Sequence, residues 1–292
     1  MNVLSLFDGC GIACMALKDA DIPVEHYYAS EIDKWAIQIA LKNHPEIIQL
    51  GDVKTIDFES LPPIDLLIGG SPCQNLSSAG KAEGLFGDRS ILFFEYVRAL
   101  RLLKPRYFLF ENVASMKKMW RDIISLELGV EPIRVNSSLV SAQMRDRLYW
   151  TNIQFEQPSD RGVVLKDILE SGVVDREKSF CIDANYAKGT TLESYQEKHR
   201  RQVVYLYRLP HGYVTENIKV YDKYPTLATQ NPDTKYKVVD GNSFRKLTPV
   251  ECERLQTLPD NYTEGVSNTQ RYKMLGNGFT CAVIEHIVGH IK

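Results

Sequence analysis

Long apolar runs are missing from this chain of 292 residues, and none approaches the roughly 20 residues a membrane-spanning helix needs. No leader-like segment precedes the first strand pattern, so a secretory signal is not expected and a cytoplasmic setting is. Cysteine is sparse: the six residues, Cys10, Cys14, Cys73, Cys181, Cys252 and Cys281, show no C-x-x-C spacing. A zinc site and a disulfide framework are therefore both disfavoured, and reduced thiols are expected. The G-x-G-x-x-G fingerprint is absent, which counts against a nucleotide-dependent oxidoreductase. Large repeats and low-complexity tracts are missing as well. Excess positive charge is also lacking, with 35 Lys and Arg against 37 Asp and Glu. Any affinity for a polyanion must then come from a local basic face.

What remains is an ordinary globular composition, 44% hydrophobic and 25% charged, in a chain long enough for one large core and a smaller lobe. Strand and helix patterns alternate as far as Trp150-Thr151-Asn152, the rhythm of a parallel sheet with covering helices. The spacing predicts a helix over 91–103 with Phe94, Val97 and Leu100 inward. It predicts a core stripe at Met116, Met119, Trp120, Ile123 and Ile124, and a closing helix over 282–291 beside the first strand. Beyond Pro158 the alternation fails, and Pro, Gly, Tyr and basic residues increase up to about Gly241-Asn242.

Three stretches describe a nucleoside pocket. Val3-Leu4-Ser5-Leu6-Phe7 reads as a buried strand followed by Asp8-Gly9-Cys10-Gly11 and a helix. This turn supplies no lysine for phosphates, so a nucleotide-like ligand without a pyrophosphate fits it best. A second strand, His26-Tyr27-Tyr28-Ala29-Ser30, ends in Glu31, and Gly51-Asp52-Val53 stands at a third strand end. Acids at such positions accept hydrogen bonds from ribose hydroxyls, although each alone is more often a loop charge or helix cap.

Three further stretches carry reactive groups. Ile64-Asp65-Leu66-Leu67-Ile68 runs into Gly69-Gly70-Ser71-Pro72-Cys73-Gln74-Asn75, where the glycines and Pro72 restrict how Cys73 is presented. Tyr107-Phe108-Leu109-Phe110-Glu111-Asn112-Val113 is an apolar strand with a carboxylate near its end, beside the strand that leads to Cys73. In Ser141-Ala142-Gln143-Met144-Arg145-Asp146-Arg147-Leu148-Tyr149-Trp150, a period of two puts Arg145 and Arg147 on one face.

The order and spacing of these segments resemble those of the DNA (cytosine-5)-methyltransferases, over nearly the whole chain. Phe7-Asp8-Gly9-Cys10-Gly11 resembles the family's S-adenosylmethionine loop, Ser71-Pro72-Cys73-Gln74 its nucleophile motif, Glu111-Asn112-Val113 its acid motif and Gln143-Met144-Arg145-Asp146-Arg147 its arginine motif. The segment from Arg245 to Gln256, and Gly276-Asn277-Gly278-Phe279-Thr280, are similar to the two closing motifs. The compact spacer between the acid and arginine motifs is similar to that of phage-type enzymes and the mammalian de novo branch.

The resemblance implies an α/β, Rossmann-like methyltransferase fold with a mixed, mostly parallel sheet and a smaller target recognition domain. It divides the chain into a catalytic and cofactor-binding domain (1–155), a recognition domain (156–244) and a return segment (245–292). It implies S-adenosylmethionine as methyl donor, with S-adenosylhomocysteine as product, held by Phe7, Asp8, Gly9, Gly11, Glu31, Ile32, Asp52, Val53, Pro72 and Asn277. The Cys73 thiolate would add to C6 of a cytosine flipped out of double-stranded DNA, Glu111 would donate to N3, Arg145 would bind O2 and Arg147 would support the acid. No metal is called for. The long loop after Cys73 reads as a lid, and Gln74, Ser78, Lys81, Arg89, Gln143, Arg200, Arg201 and Thr226 are the expected DNA contacts. A monomer is the default, in a bacterial cell or phage-infected host, with a cognate restriction endonuclease as a further partner. Two alternatives share the fold: a transfer RNA cytosine-5 methyltransferase and a non-catalytic DNA-binding accessory homologue. The long segment after Pro158 argues against the first. The joint presence of Cys73, Glu111 and Arg145 argues against the second.

Overall fold

A computed structural model of the chain describes residues 1–72, 92–208 and 238–292. In chain order its main elements are β1 (Asn2–Leu6), α1 (Ile12–Asp19), β2 (His26–Ser30), α2 (Lys34–Asn43), β3 (Ile47–Gln49), β4 (Leu66–Gly69), α3 (Leu92–Leu103) and β5 (Tyr107–Val113). They continue with α4 (Lys118–Leu128), β6 (Ile133–Asn136), β7 (Gln143–Met144), β8 (Asp146–Thr151), β9 (Ser179–Phe180) and α5 (Leu192–Lys198). The last are β10 (Val203–Arg208), β11 (Val238–Lys246), α6 (Pro249–Leu255), α7 (Asn268–Asn277) and α8 (Cys281–Val288).

Seven strands form one sheet in the order β3-β2-β1-β4-β5-β8-β6. The first five are parallel, whereas β8 runs antiparallel to both β5 and β6. The strands at the centre are apolar on both faces because both are covered. Val3, Leu66, Ile68 and Leu109 face one core, with α1 and α8, while Leu4, Leu6, Leu67, Phe108 and Phe110 face the other, with α3 and α4. That strict alternation is the pleat expressed as packing. Helix starts are fixed locally: Asp33 accepts from Trp35 N, Ser267 accepts from Gln270 N, and Thr248 and Glu251 close a reciprocal capping box.

Several expectations are corrected in detail. β4 begins at Leu66 and takes in Gly69, whose missing Cβ would stand 2.7 Å from the Leu6 carbonyl oxygen. On α3 it is Phe93 that is buried, and Phe94 is exposed. Met119 leaves the predicted stripe, 56% exposed, while Met116, Trp120 and Ile124 keep to it. The closing helix, α8, packs chiefly against α1.

After Pro158, β9 pairs with β7 in parallel, and β10 and β11 form an antiparallel ribbon. Leu165, Ile168, Ile182, Tyr186 and Val204 belong to the same apolar cluster as α1, α7 and α8. This part of the chain is thus continuous with the main core on one side. No helix among the described residues is long and apolar enough to cross a membrane.

Candidate active site

The turn between β1 and α1 bends through three residues of positive φ, Phe7 at 60°, Gly9 at 65° and Gly11 at 81°. At Gly11 a side chain would be strained and would also stand 3.0 Å from the His44 ring. Glu31, at the end of β2, ties this turn down: its Oε2 accepts from Gly9 N at 2.9 Å, and its Oε1 accepts from Ile32 N and Asp33 N, each at 2.8 Å. Ser30 Oγ donates to the Gly51 carbonyl at 2.7 Å, bringing the β3 end alongside. There Asp52 accepts from Lys54 N at 3.0 Å, so its side chain caps the turn that follows, and Val53 is buried. Nothing lies within 4 Å of the Cβ positions of Gly9 and Gly51, which leaves open space over the backbone, and Ile32 stands 74% exposed beside it.

Asp8 turns the other way. It is buried, accepts from Tyr27 OH at 2.6 Å, and desolvation raises its pKa to about 6.

Asn277 is exposed at the end of α7, between two glycines that close approach requires. A Cβ on Gly276 would lie 2.2 Å from the Asp183 carbonyl carbon, and one on Gly278 would lie 2.6 Å from Ile12 Cδ1, at the start of α1. The second contact brings Asn277 next to the glycine turn.

The second half of the site lies where β4 and β5 end. Arg147 Nε pairs with Glu111 Oε1 at 2.7 Å, and both side chains are 13% exposed. The pairing follows from register, because β8 is antiparallel to β5 with Arg147 opposite Val113 and Tyr149 opposite Glu111. Gly70 sits beneath this pair: its Cβ would stand 3.0 Å from Glu111 Oε2 and 3.2 Å from the Phe279 ring. A side chain at 70 would therefore push on the carboxylate. Asn112, buried, donates from Nδ2 to the Ser71 carbonyl at 3.2 Å and accepts from Val113 N at 2.9 Å. It anchors the segment Gly70-Ser71-Pro72 that leads to Cys73. Asn112 and Phe279 were not singled out in the sequence as site residues. The signal for Asn112 is an amide in an otherwise apolar strand.

Arg145 and Gln143 are placed otherwise than expected. Arg145 is 3% exposed and its donors are taken up inside the protein: Nη2 to the Gly276 and Gly278 carbonyls at 3.2 and 2.7 Å, Nη1 to the Ile182 carbonyl at 3.3 Å and to Cys181 Sγ at 3.2 Å. Its guanidinium thus ties residues 181–182 to the return segment. Gln143, expected on DNA, is 0% exposed, and its Nε2 donates to the Leu255 carbonyl at 2.7 Å and to Gln256 Oε1 at 2.9 Å. A residue so enclosed is a structural clamp.

Cys73, Gln74, Ser78, Lys81, Arg89 and Thr226 lie outside the described residues. Arg200 is exposed. Arg201 is turned inward, donating from Nη1 to the Gly189 carbonyl at 2.9 Å, with Nε 3.6 Å from Asp183. A cleft of about 240 Å³ lies there, lined among others by Lys188, Thr190, Arg201 and Lys246. The ligand-type atoms of Cys14, His44 and Glu46 come within 4.8 Å of one another. The Lys18 ammonium sits among them, 2.5 Å from Glu46 and 3.0 Å from His44 Nδ1, and already supplies positive charge.

Set beside known proteins, residues 1–292 match the family model of C-5 cytosine-specific DNA methylases. The Type II methyltransferase M.NlaX of Neisseria lactamica is 28% identical over 310 residues, covering 100% of this chain and 96% of that protein. The orphan methyltransferase M.Rho11sI of Bacillus phage rho11s is 36% identical over 188 residues, which is 59% of this chain and 37% of its own length. The Dnmt2 methyltransferase of S. pombe shares the fold with a TM-score of 0.63 at 17% identity, covering 99% of this chain and 97% of that one.

Proposed function

The chain belongs to the C-5 cytosine-specific DNA methylase family, and from that premise we propose that it flips a cytosine out of duplex DNA and methylates C5 through a covalent adduct on Cys73. The observation that carries this reading is the Glu111–Arg147 pair, 2.7 Å apart and set over Gly70 on the segment that leads to Cys73.

S-adenosylmethionine, when bound, supplies the electrophilic methyl group. The open backbone over Gly9 and Gly51 suits an adenosine: the turn held by Glu31 offers close main-chain approach, exposed Ile32 offers an apolar face to the base, and Asn277 closes the side next to α1. Phe7, Asp8, Gly11, Asp52, Val53 and Pro72 act as the frame of that pocket. Asp8 supports the turn from below, and Asp52 does so as a cap.

The base cannot react inside a stacked duplex, since C6 is attacked from the face of the ring. The Cys73 thiolate forms the S–C6 bond, and the displaced electron pair moves toward N3 and C5. Glu111 hydrogen-bonds N3 and the exocyclic amine, and Arg147, next to it, faces O2, so fixed groups meet the charge where it develops. Once C5 carries the methyl, it gives up its proton, the S–C6 bond breaks and the thiolate returns. Arg145 works at one remove, by holding the Gly276-Asn277-Gly278 turn. The segment 156–244 reads the DNA sequence, with Arg200 on a phosphate.

Duplex DNA carrying 5-fluorocytosine tests this directly, because fluorine at C5 cannot leave as a proton. The reading predicts a covalent protein–DNA adduct that requires S-adenosylmethionine, maps to the Cys73 peptide and is absent in Cys73→Ser. No adduct from a folded wild-type protein, or one that persists in Cys73→Ser, would overturn it.

A further inference from the structure

Cys181 lies outside every motif, yet it touches both arginines of the candidate site. β7 pairs with β9 in parallel, Gln143 with Ser179 and Met144 with Phe180, so the next residues along, Arg145 and Cys181, leave the ladder side by side. Arg145 Nη1 donates to Cys181 Sγ at 3.2 Å and Arg147 Nη2 donates to it at 4.0 Å. The sulfur therefore closes a chain of contacts. One end is Glu111, paired through Arg147, and the other is the Gly276 and Gly278 carbonyls, held through Arg145.

We propose that Cys181 is a positioning residue for methyl transfer: as the shared acceptor of both guanidiniums, it sets the angle at which Arg147 presents Glu111 to the base. The inference rests on the function proposed above. Two like charges brought together in a half-buried place need an acceptor between them, and a polarisable sulfur provides one. Burial alone would push the Cys181 thiol up, but the guanidinium of Arg145, with that of Arg147, outweighs it and holds the thiol below its ordinary value. A role in packing alone would require only volume at this position.

The experiment is a double-mutant cycle on single-turnover methyl transfer to duplex DNA at saturating S-adenosylmethionine, with wild type, Cys181→Ala, Cys181→Ser, Arg147→Ala and the double variant Cys181→Ala/Arg147→Ala. Thermal melts show that each is folded. Removing an acceptor from a charged donor predicts a rate about tenfold lower for Cys181→Ala. Serine, which keeps an acceptor, restores most of it, and the double variant is no slower than Arg147→Ala alone. Cys181→Ala at the wild-type rate, serine no better than alanine, or losses that multiply in the double variant would each overturn the proposal while leaving the enzyme's function intact. A folded wild type that transfers no methyl to DNA would overturn the function itself, and this inference with it.

Discussion

Replacing Gly276 with alanine sets two opposing effects against each other. The residue is in the last turn of α7, where an alanine would ordinarily add about 1 kcal/mol of helix stability over glycine. The new Cβ, however, would stand 2.2 Å from the Asp183 carbonyl carbon and 2.4 Å from both Asp183 O and Ala184 N. All three are backbone atoms, so no side chain can swing aside, and α7 or the 183–184 segment must move. Overpacking of this kind costs about 1–3 kcal/mol, and contacts this short belong at the upper end. The net is a loss of about 2 kcal/mol, which at this chain length lowers the melting temperature by roughly 3 °C. The Gly276 carbonyl would also be drawn off Arg145, 3.2 Å away, so S-adenosylmethionine binding should weaken with stability. Calorimetric melting of Gly276→Ala with and without S-adenosylmethionine measures both. A variant that melts at or above the wild type would show that the close approach of 183–184 does not constrain this turn.

Arg145→Ala should destabilise the fold by at least ~3 kcal/mol, because the buried carbonyls of Ile182, Gly276 and Gly278 lose a charged donor; urea unfolding within error of wild type would contradict the clamp assigned to it. Asp8, raised from 3.8 to about 6 in the fold, holds its proton more tightly folded than unfolded. Its contribution, ~3 kcal/mol, is complete below the unfolded value and is lost as pH rises through about 6, so stability relative to Asp8→Asn should fall over that window. Parallel unfolding curves for the two proteins across it would refute the assignment. Ile32→Ala should raise the Kd for S-adenosylmethionine about five- to tenfold at unchanged melting temperature, since the side chain is 74% exposed in the free protein. Equal affinities in calorimetric titration would remove Ile32 from the pocket.

The parts of this molecule legible in its sequence are those determined by local pattern. β2 and β5 fall on the residues that the apolar runs predict, and the parallel half of the sheet follows from strand and helix alternation. Phe93 against Phe94 was not legible, because they stand four and three residues before buried Val97, and both spacings put a side chain on the same side of a helix. Met119 shows the converse, an apolar side chain in a credible stripe that faces water. Within the site, Glu111 and Arg147 were legible as partners. The tasks of Arg145 and Gln143 were not, because their partners lie far along the chain: Gln143 is clamped by Leu255 and Arg145 by Gly276 and Gly278. Asp52 could be read as a ribose acid or as a cap, and the cap is the contact the free protein makes. Cys181 had no local signal at all, since only the β7–β9 register brings it to the arginines.

The central claim is tested most directly by transfer of labelled methyl from S-adenosylmethionine to unmethylated genomic DNA and, in parallel, to transfer RNA, using wild type and Cys73→Ser, with bisulfite sequencing of the DNA. The account predicts 5-methylcytosine in one short DNA context and none with Cys73→Ser. Label on transfer RNA alone, or on neither nucleic acid although S-adenosylmethionine binds, would contradict it.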